Sequence, residues 1–220
     1  MHVHKPKPWH GLRELLREYV VIVLGVLTAL AAEQTVEALR HRAQVREMTE
    51  KMRVESEENR HVVDYDVESV RAALASTDAV LAALAKGEAV APKLRRTNLF
   101  TPADAAWIAI RDSALLPIMP KLLVDNAWKV DATQTYMRSK MDDVIRAADQ
   151  ADAALSLRRS ARHDADLERT ARLRLAELQV QEGRLIVILG EFRQANEHVL
   201  RGDRIDTVAD LQKARAAKRN

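Results

Sequence analysis

The sequence predicts an all-α protein, in which an N-terminal transmembrane helix continues into a long helix and a helical-bundle or coiled-coil-like soluble domain follows. Hydrophobic side chains recur at spacings of three and four residues over long stretches, which is the period of an amphipathic helix. The 220 residues include only six Gly, six Pro and 4% aromatic residues, too few for the turns and strands of a β-sandwich or barrel. One uncharged apolar run near the N-terminus supplies the candidate membrane span.

The composition excludes several classes of function. The chain contains no Cys, which excludes disulfides, thiolate metal sites and thiol catalysis. A net charge of +3 is not by itself typical of nucleic-acid binding, and the basic clusters at 158–162 and at the C-terminus contain no aromatic residue for base stacking. Nucleophile-elbow, zincin, P-loop and dinucleotide-binding motifs are absent from the sequence. We therefore expect no enzymatic activity, no cofactor, no metal site and no nucleic-acid partner.

The N-terminal region reads as a polar tail, residues 1–14, followed by a transmembrane helix, residues 15–38. Its centre, residues 19–32, is a run of fourteen residues without a charge. As a helix this run spans about 21 Å, against a hydrocarbon core of about 30 Å. The apolar residues on either side extend the run, so the segment is long enough to cross a bilayer.

Five residues of this region are candidates for contacts with the membrane or with another membrane helix. Trp9 and Tyr19 are suited to the membrane–water interface, and Arg17 can extend its charge toward the headgroups. Gly25 and Ala29 form a pair of small residues four apart, which lets two membrane helices approach closely. We expect the lipid bilayer as a partner, together with a second copy of the chain or another membrane protein.

Two alternative interpretations of the apolar run remain open. It is compatible with a cleavable signal peptide, because Ala29-Leu30-Ala31 fits a small-residue cleavage site, although Glu14 and Glu18 are unusual in the region before such a run. It is also compatible with the buried core helix of a soluble protein, because runs of ten to fourteen apolar residues are common there.

The order of residues in the run gives a further indication. It contains Arg17-Glu18-Tyr19, Ile22-Val23-Leu24-Gly25-Val26-Leu27, Ala29-Leu30 and Glu33-Gln34. This segment resembles the start of a group of uncharacterised bacterial proteins that carry one N-terminal membrane helix before a helical domain of unknown function. The resemblance implies attachment to the inner membrane of a Gram-negative-type bacterium. It implies no activity and no catalytic residues.

The charges around the span leave its orientation almost balanced, because four basic residues precede it and five follow it over comparable lengths. A short tail before a long exported domain is the usual arrangement of a signal anchor, so we expect the C-terminal domain in the periplasm. The residues counted are Lys5, Lys7, Arg13 and Arg17 before the uncharged run, and Arg40, Arg42, Arg46, Lys51 and Arg53 after it.

Residues 39–87 are predicted to continue the helix, because neither Gly nor Pro occurs between Gly25 and Gly87. A cation followed by Gly, Lys86-Gly87, is a typical helix end. Upstream of the predicted seam, Glu55 and Asn59 are expected to interrupt the apolar pattern. The seam itself is predicted to comprise Val63, Val67, Val70, Leu74, Thr77, Leu81 and Leu84.

Residues 88–101 are predicted to be a linker, and residues 102–202 a helical domain. Thr101 is expected to cap a helix over about 102–115, with Pro102 in its first turn. Ala106, Trp107 and Ile110 are expected to face inward. A second short helix is expected from Lys121 to Ala132.

Two seams follow without any Pro, and the polar residues around 160–166 are the predicted turn between them. Two helices with a short connection pack antiparallel, so we expect a C-terminal hairpin ending at Gly202, before a basic tail at residues 203–220. Glu182 and Asn196 lie on the second seam and are interpreted as residues of a helix edge. The first seam comprises Met137, Met141, Val144, Ala148, Ala151 and Leu155; the second comprises Ala171, Leu175, Leu178, Glu182, Leu185, Leu189, Phe192, Asn196 and Val199.

The sequence predicts a membrane-anchored scaffold, adaptor or sensing module that acts through protein partners. An all-α metal-dependent enzyme is the alternative. It would use Glu58 and His61, which have the Glu-x-x-His spacing of di-iron bundles, but such centres need a second pair of this kind. His163 and His198 are not preceded by Glu at that spacing.

Overall fold

The computed structural model describes residues 11–88, 90, 94–160 and 164–204. Helix is the only regular secondary structure among these residues, which confirms the all-α class. A short 3-10 helix at Leu116–Ile118 precedes the third α-helix. The α-helices are α1 (Leu12–Ala85), α2 (Ala105–Arg111), α3 (Lys121–Ser160) and α4 (Ala165–Arg201).

The chain divides into two units, Met1–Glu47 and Met48–Asn220. In the first unit, the described residues belong almost entirely to α1. Their large apolar side chains are exposed; Tyr19 and Ile22, for example, are 65% and 64% exposed. The second unit contains the rest of α1 and the three later helices, and its hydrophobic core joins side chains of α1, α3 and α4.

In the second unit, α1 buries one residue at alternating intervals of four and three, which is the geometry of a heptad seam. The prediction was correct at Val63, Val70, Thr77 and Leu84. Between these positions the structure buries Asp66, Ala73 and Val80. The predicted residues Val67, Leu74 and Leu81, which directly follow them, are only half-buried. The observed seam is Met52, Ser56, Asn59, Val63, Asp66, Val70, Ala73, Thr77, Val80 and Leu84.

An irregular segment, Leu94–Asp104, runs along α1 in the opposite direction; we call it the strap. Its backbone N–H groups donate to side chains of successive α1 turns. Arg95 donates to Ser76 (3.3 Å), Asn98 to Ser69 (2.8 Å), Phe100 to Asp66 (3.0 Å) and Ala103 to Asn59 (2.8 Å). A segment without regular structure needs such partners for its backbone groups, so the polar residues of α1 hold the predicted linker in place.

The strap also bonds to α3. The Arg96 guanidinium contacts Asp149 and Asp152 at 2.6 and 2.8 Å, and Gln134 donates to the carbonyl of Pro102 at 2.8 Å. Arg138 pairs with Asp104 at 2.8 Å. The strap therefore links α1 to α3.

The predicted start of the next helix was wrong. α2 begins at Ala105, and its N-cap residue is Asp104, which makes no side-chain capping bond because it pairs with Arg138 instead. Residues 101–103 remain in the strap because both backbone groups of Ala103 bond to Asn59. α2 buries Trp107 and Ile110 as expected, whereas Ala106 is half-buried.

The predicted short helix from Lys121 to Ala132 is the start of α3, which continues without a break to Ser160. No Gly or Pro interrupts this stretch of sequence. Both predicted seams of the C-terminal hairpin are confirmed, because every residue assigned to them is buried. α3 contributes Ala147, Ala148, Ala151 and Ala154 to the core, and such small side chains let the backbone of α4 pack closely.

The C-terminal ends of α1 and α4 follow the predicted signals. Gly87 and Gly202 adopt left-handed φ values of 73° and 67°, which favour glycine after a helix. Glu88 N–H bonds to Ala83 and Asp203 N–H to His198, each closing the last turn. Asp164 caps α4 by accepting from two backbone N–H groups.

We expect Asn59→Ala to lower the free energy of unfolding by about 3 kcal/mol, because it leaves the N–H and C=O of Ala103 without partners in a partly buried site. Ser69→Ala, which removes one exposed bond to the strap, is the matched control with an expected loss of about 1 kcal/mol or less. Thermal and urea unfolding followed by circular dichroism measures both. Equal losses in the two variants would contradict the role assigned to Asn59.

Candidate functional site

The first part of α1 has a surface unlike the rest of the chain. None of the side chains in its most apolar stretch is buried, and by length and composition this helix is able to cross a membrane. Of residues 19–32, only Val23 is even half-buried. The described part of the chain therefore leaves this segment uncovered, whereas the soluble-core interpretation requires it to be buried.

The structure places four of the five predicted membrane-contact residues on this helix. Arg17 and Tyr19 are exposed in its first turns. Gly25 and Ala29 are exposed one turn apart, and a Cβ atom at Gly25 would meet no other atom within 4 Å. Trp9 lies outside the described residues.

The threonine hydroxyl groups of this surface are satisfied within the helix. Thr28 donates to the carbonyl of Leu24 and Thr35 to that of Ala31, each at 2.7 Å. A hydroxyl that bonds to the preceding turn needs no other partner. Because apolar surroundings penalise unpaired polar groups, these bonds suit a helix in a lipid environment.

A second unusual feature is the set of polar side chains buried in the bundle. Asp66 is completely buried and accepts from the Phe100 N–H, while its other oxygen has no partner. Burial raises the pKa of Asp66 to about 6, although the bond from Phe100 acts in the opposite direction. The carboxyl group therefore gains its proton near the acidic edge of the physiological range.

Glu182 is the second buried carboxyl group, on the face of α4 that packs into the core. The interpretation of Glu182 and Asn196 as helix-edge residues was wrong, because they are only 2% and 0% exposed. Burial raises the pKa of Glu182 to about 7; the nearby Asp78 carboxylate adds to this increase, and a hydrogen bond with Thr77 opposes it. Glu182 therefore keeps its proton to a higher pH than an exposed glutamate does.

Four of the remaining buried polar residues, Ser56, Asn59, Gln134 and Asn196, line a small cavity between α1, α2, α3 and α4 within the second unit. Asn196 Oδ1 and Trp107 Nε1 lack hydrogen-bond partners, and both residues line it together with Asn59 and Gln134. Glu55, also in the lining, accepts from the Ala106 N–H at 2.8 Å, and burial raises its pKa. The cavity is therefore polar and able to bond to a guest through both an acceptor and a donor.

The size of the cavity decides what it can hold. Its volume is about 20 Å³, which is room for about one water molecule. A drug-sized organic ligand needs a pocket of about 300 Å³ or more. The cavity thus suits hydration of the buried polar groups better than recognition of a metabolite.

The residues of the metal-enzyme alternative are not arranged as a centre. Glu58 and His61 are exposed, and His61 lies nearest to Glu57, at 3.4 Å. Within the described part of the chain, no three side chains of His, Asp or Glu converge as metal ligands. His163 lies outside that part.

The two described arginines of the basic cluster at 158–162 are engaged within the chain, and Arg162 lies outside the described residues. Arg158 lies 3.7 Å from Glu168, and Arg159 bonds to the carbonyl of Leu155 and the hydroxyl of Ser156. Of the basic tail, only residues 203 and 204 are described.

Comparisons with protein-family models, curated proteins and solved structures found no match to this chain.

We expect the stability of the protein to fall as pH rises from about 4.5 to about 7, because unfolded Glu182 loses its proton over this range while folded Glu182 keeps it. Glu182→Gln removes this contribution. At pH 8 the variant should be more stable than the parent chain by up to about 3 kcal/mol. Unfolding measured at several pH values gives the comparison.

Glu177→Gln is the control, because Glu177 is on the same helix but exposed, where it pairs with Arg174. This variant should keep the pH dependence of the parent chain. An unchanged pH dependence in Glu182→Gln would show that Glu182 is ionised in the folded protein.

Proposed function

We propose that this chain is a single-pass inner-membrane protein of a bacterium, anchored by α1, whose helical bundle acts as a scaffold or adaptor for protein partners. The observation that carries the proposal is the apolar surface of α1 around residues 15–39, which no part of the described chain covers. A soluble monomer rarely leaves so large a contiguous apolar surface in water. The hydrocarbon core of a bilayer is the surrounding that such a surface requires.

Insertion is energetically favourable for the central run. Residues 19–32 contain eight Val, Leu or Ile side chains, which contribute roughly −0.3 to −0.6 kcal/mol each at the centre of a membrane helix. The sum, about −2 to −5 kcal/mol, has no charged residue to offset it within the run. The charges that flank it, Arg17 and Glu18 on one side and Glu33 on the other, lie toward the ends of the span, where their cost is lower.

The bundle supports a role in binding proteins more than one in binding small molecules. The polar cavity accommodates about one water molecule, and α3 and α4 present long exposed faces instead. The strap and the buried polar groups of the bundle fix the relative positions of the helices. A fixed arrangement of long helices is suited to presenting a binding surface to a partner.

For orientation, we place the N-terminal tail in the cytoplasm and the bundle in the periplasm. Support comes from the short tail before a long domain, since the basic residues on the two sides of the span are nearly balanced. Protease treatment of spheroplasts should then degrade the bundle from outside. Protection of the bundle until the membrane is broken would reverse the orientation.

We expect the full-length chain in the alkali-washed membrane fraction. Val23→Arg with Leu27→Arg should move most of it out of that fraction, because each Arg costs about 2.5–3.5 kcal/mol at the centre of a span. The matched control is Ile145→Arg with Leu157→Arg, two exposed residues of α3, which should leave the protein in the membrane. Blotting of the fractions through a C-terminal tag is the measurement.

Two outcomes of this experiment would contradict the anchor. A membrane-free product shortened at Ala31 would show a cleaved export signal. Full-length parent protein in the soluble fraction would mean that another molecule covers the apolar segment in water.

A further inference from the structure

The outer face of α4 carries a second heptad pattern that the bundle does not use. Its members recur at alternating intervals of three and four, and all but the half-buried Gly183 are exposed. Leu173, Val180 and Val187 are 64%, 49% and 61% exposed, although their spacing of seven residues is that of a helix–helix contact. We call this set the outer stripe: Leu173, Ala176, Val180, Gly183, Val187, Gly190 and Gln194.

The small residues of the outer stripe are unexplained within the chain. Gly183 and Gly190 lie in the middle of a helix, where Gly is less favourable than Ala. A Cβ atom at either position would meet nothing within 4 Å, so no neighbouring element in the described part of the chain requires Gly there. Small residues at heptad spacing leave room for the close approach of another helix.

We propose that the outer stripe is a dimer interface, in which α4 packs parallel and in register against α4 of a second copy of this chain. The pattern covers three heptads and about 32 Å of helix. In this arrangement Leu173, Val180 and Val187 each face the same residue of the second copy. The intervening layers are formed by Ala176, Gly183 and Gly190, which bring the two backbones close together.

The charges beside the outer stripe favour a copy of the same helix as its occupant. In a parallel pair, the residue before each Leu or Val layer faces the residue five positions later in the second copy. Arg172 then faces Glu177 of the second copy, and the contact occurs twice by symmetry. The next pairs, Gln179 with Arg184 and Ile186 with Glu191, bring no like charges together.

An antiparallel pair fits the charges less well. The register that places Val180 against Gly183 sets Arg172 near Arg193 of the second copy, which repels, and Glu177 near Arg184, which attracts. These two contacts offset each other, whereas the parallel pair brings an attractive contact without a repulsive one. Arg172 and Glu177 are each about half exposed and already form bonds within their own chain. A guanidinium has five donors and a carboxylate several acceptor sites, so both retain capacity for a partner across the interface.

The natural absence of Cys allows a direct test. Val180→Cys and Val187→Cys are made separately in the full-length chain, which is purified in detergent and mildly oxidised. A parallel pair places each new thiol opposite itself, within the distance that a disulfide requires. We expect at least fivefold more disulfide-linked dimer from each than from Ile145→Cys, a control of similar exposure on α3.

Three results would overturn the proposal. Cross-linking of the outer-stripe variants no stronger than that of the control would show that this face is free. A mixture of Ala176→Cys and Val187→Cys chains that cross-links better than either alone would establish antiparallel pairing instead. Val180→Glu, introduced into the chain that also carries Val187→Cys, should reduce cross-linking severalfold. An undiminished yield would show that the contact does not depend on the apolar stripe.

The inference is independent of membrane anchoring, because the interface lies within the bundle. Fractionation of the same samples reports on the anchor separately. Circular dichroism of Val180→Glu confirms that an exposed substitution leaves the helices folded. Ile145→Glu is its control and should leave dimerisation unchanged.

Discussion

Apolar side chains surround the first part of α1 on all sides, whereas in the bundle the same helix is apolar along one stripe only. One continuous helix therefore requires two different environments, apolar on all sides of its first part and apolar along one stripe in the bundle. For residues 52–84 the chain itself supplies this environment, because the seam packs against α3, α4 and the strap. Residues 15–39 have no such cover among the described residues, and the lipid bilayer that we propose around them would supply apolar surroundings without any further protein.

The bundle is unusual in how much of its α1 seam is polar. Ser56, Asn59, Asp66 and Thr77 all occupy buried seam positions, where an apolar side chain would add more hydrophobic stabilisation. Asn59 and Asp66 compensate by fixing the backbone of the strap. Their contribution is thus to position a segment that lacks regular structure, because hydrogen bonds are directional and apolar contacts are not.

Much of the fold was predictable because it is local. Both seams of the C-terminal hairpin follow from spacing alone, and the helix ends at Gly87 and Gly202 follow from residue type. The α1 seam was predicted only in part, because two sets of residues keep the alternating spacing of three and four. Val67, Leu74 and Leu81 form the more apolar set, whereas their preceding neighbours Asp66, Ala73 and Val80 are the buried ones. Counting seven residues from Asn59 gives Asp66, so the information was present in the pattern.

The remaining errors concern contacts between residues that are distant in sequence. Thr101 resembles a helix cap, yet the two bonds between Ala103 and Asn59, 44 positions apart, keep this stretch in the strap. The polar cavity likewise draws its lining from four helices, so no local pattern could indicate it. The candidate membrane span is the opposite case, since a single uninterrupted run of apolar residues defines it.

The most direct test of the account is the environment of α1 in a bilayer. Single Cys residues placed one at a time from position 13 to position 45 of the reconstituted full-length chain would be reacted with a membrane-impermeant maleimide. The account predicts labelling at both ends of this range and protection across residues 19–32. Labelling throughout that run would contradict a transmembrane helix, and protection of one helical face alone would indicate a helix lying on the membrane surface.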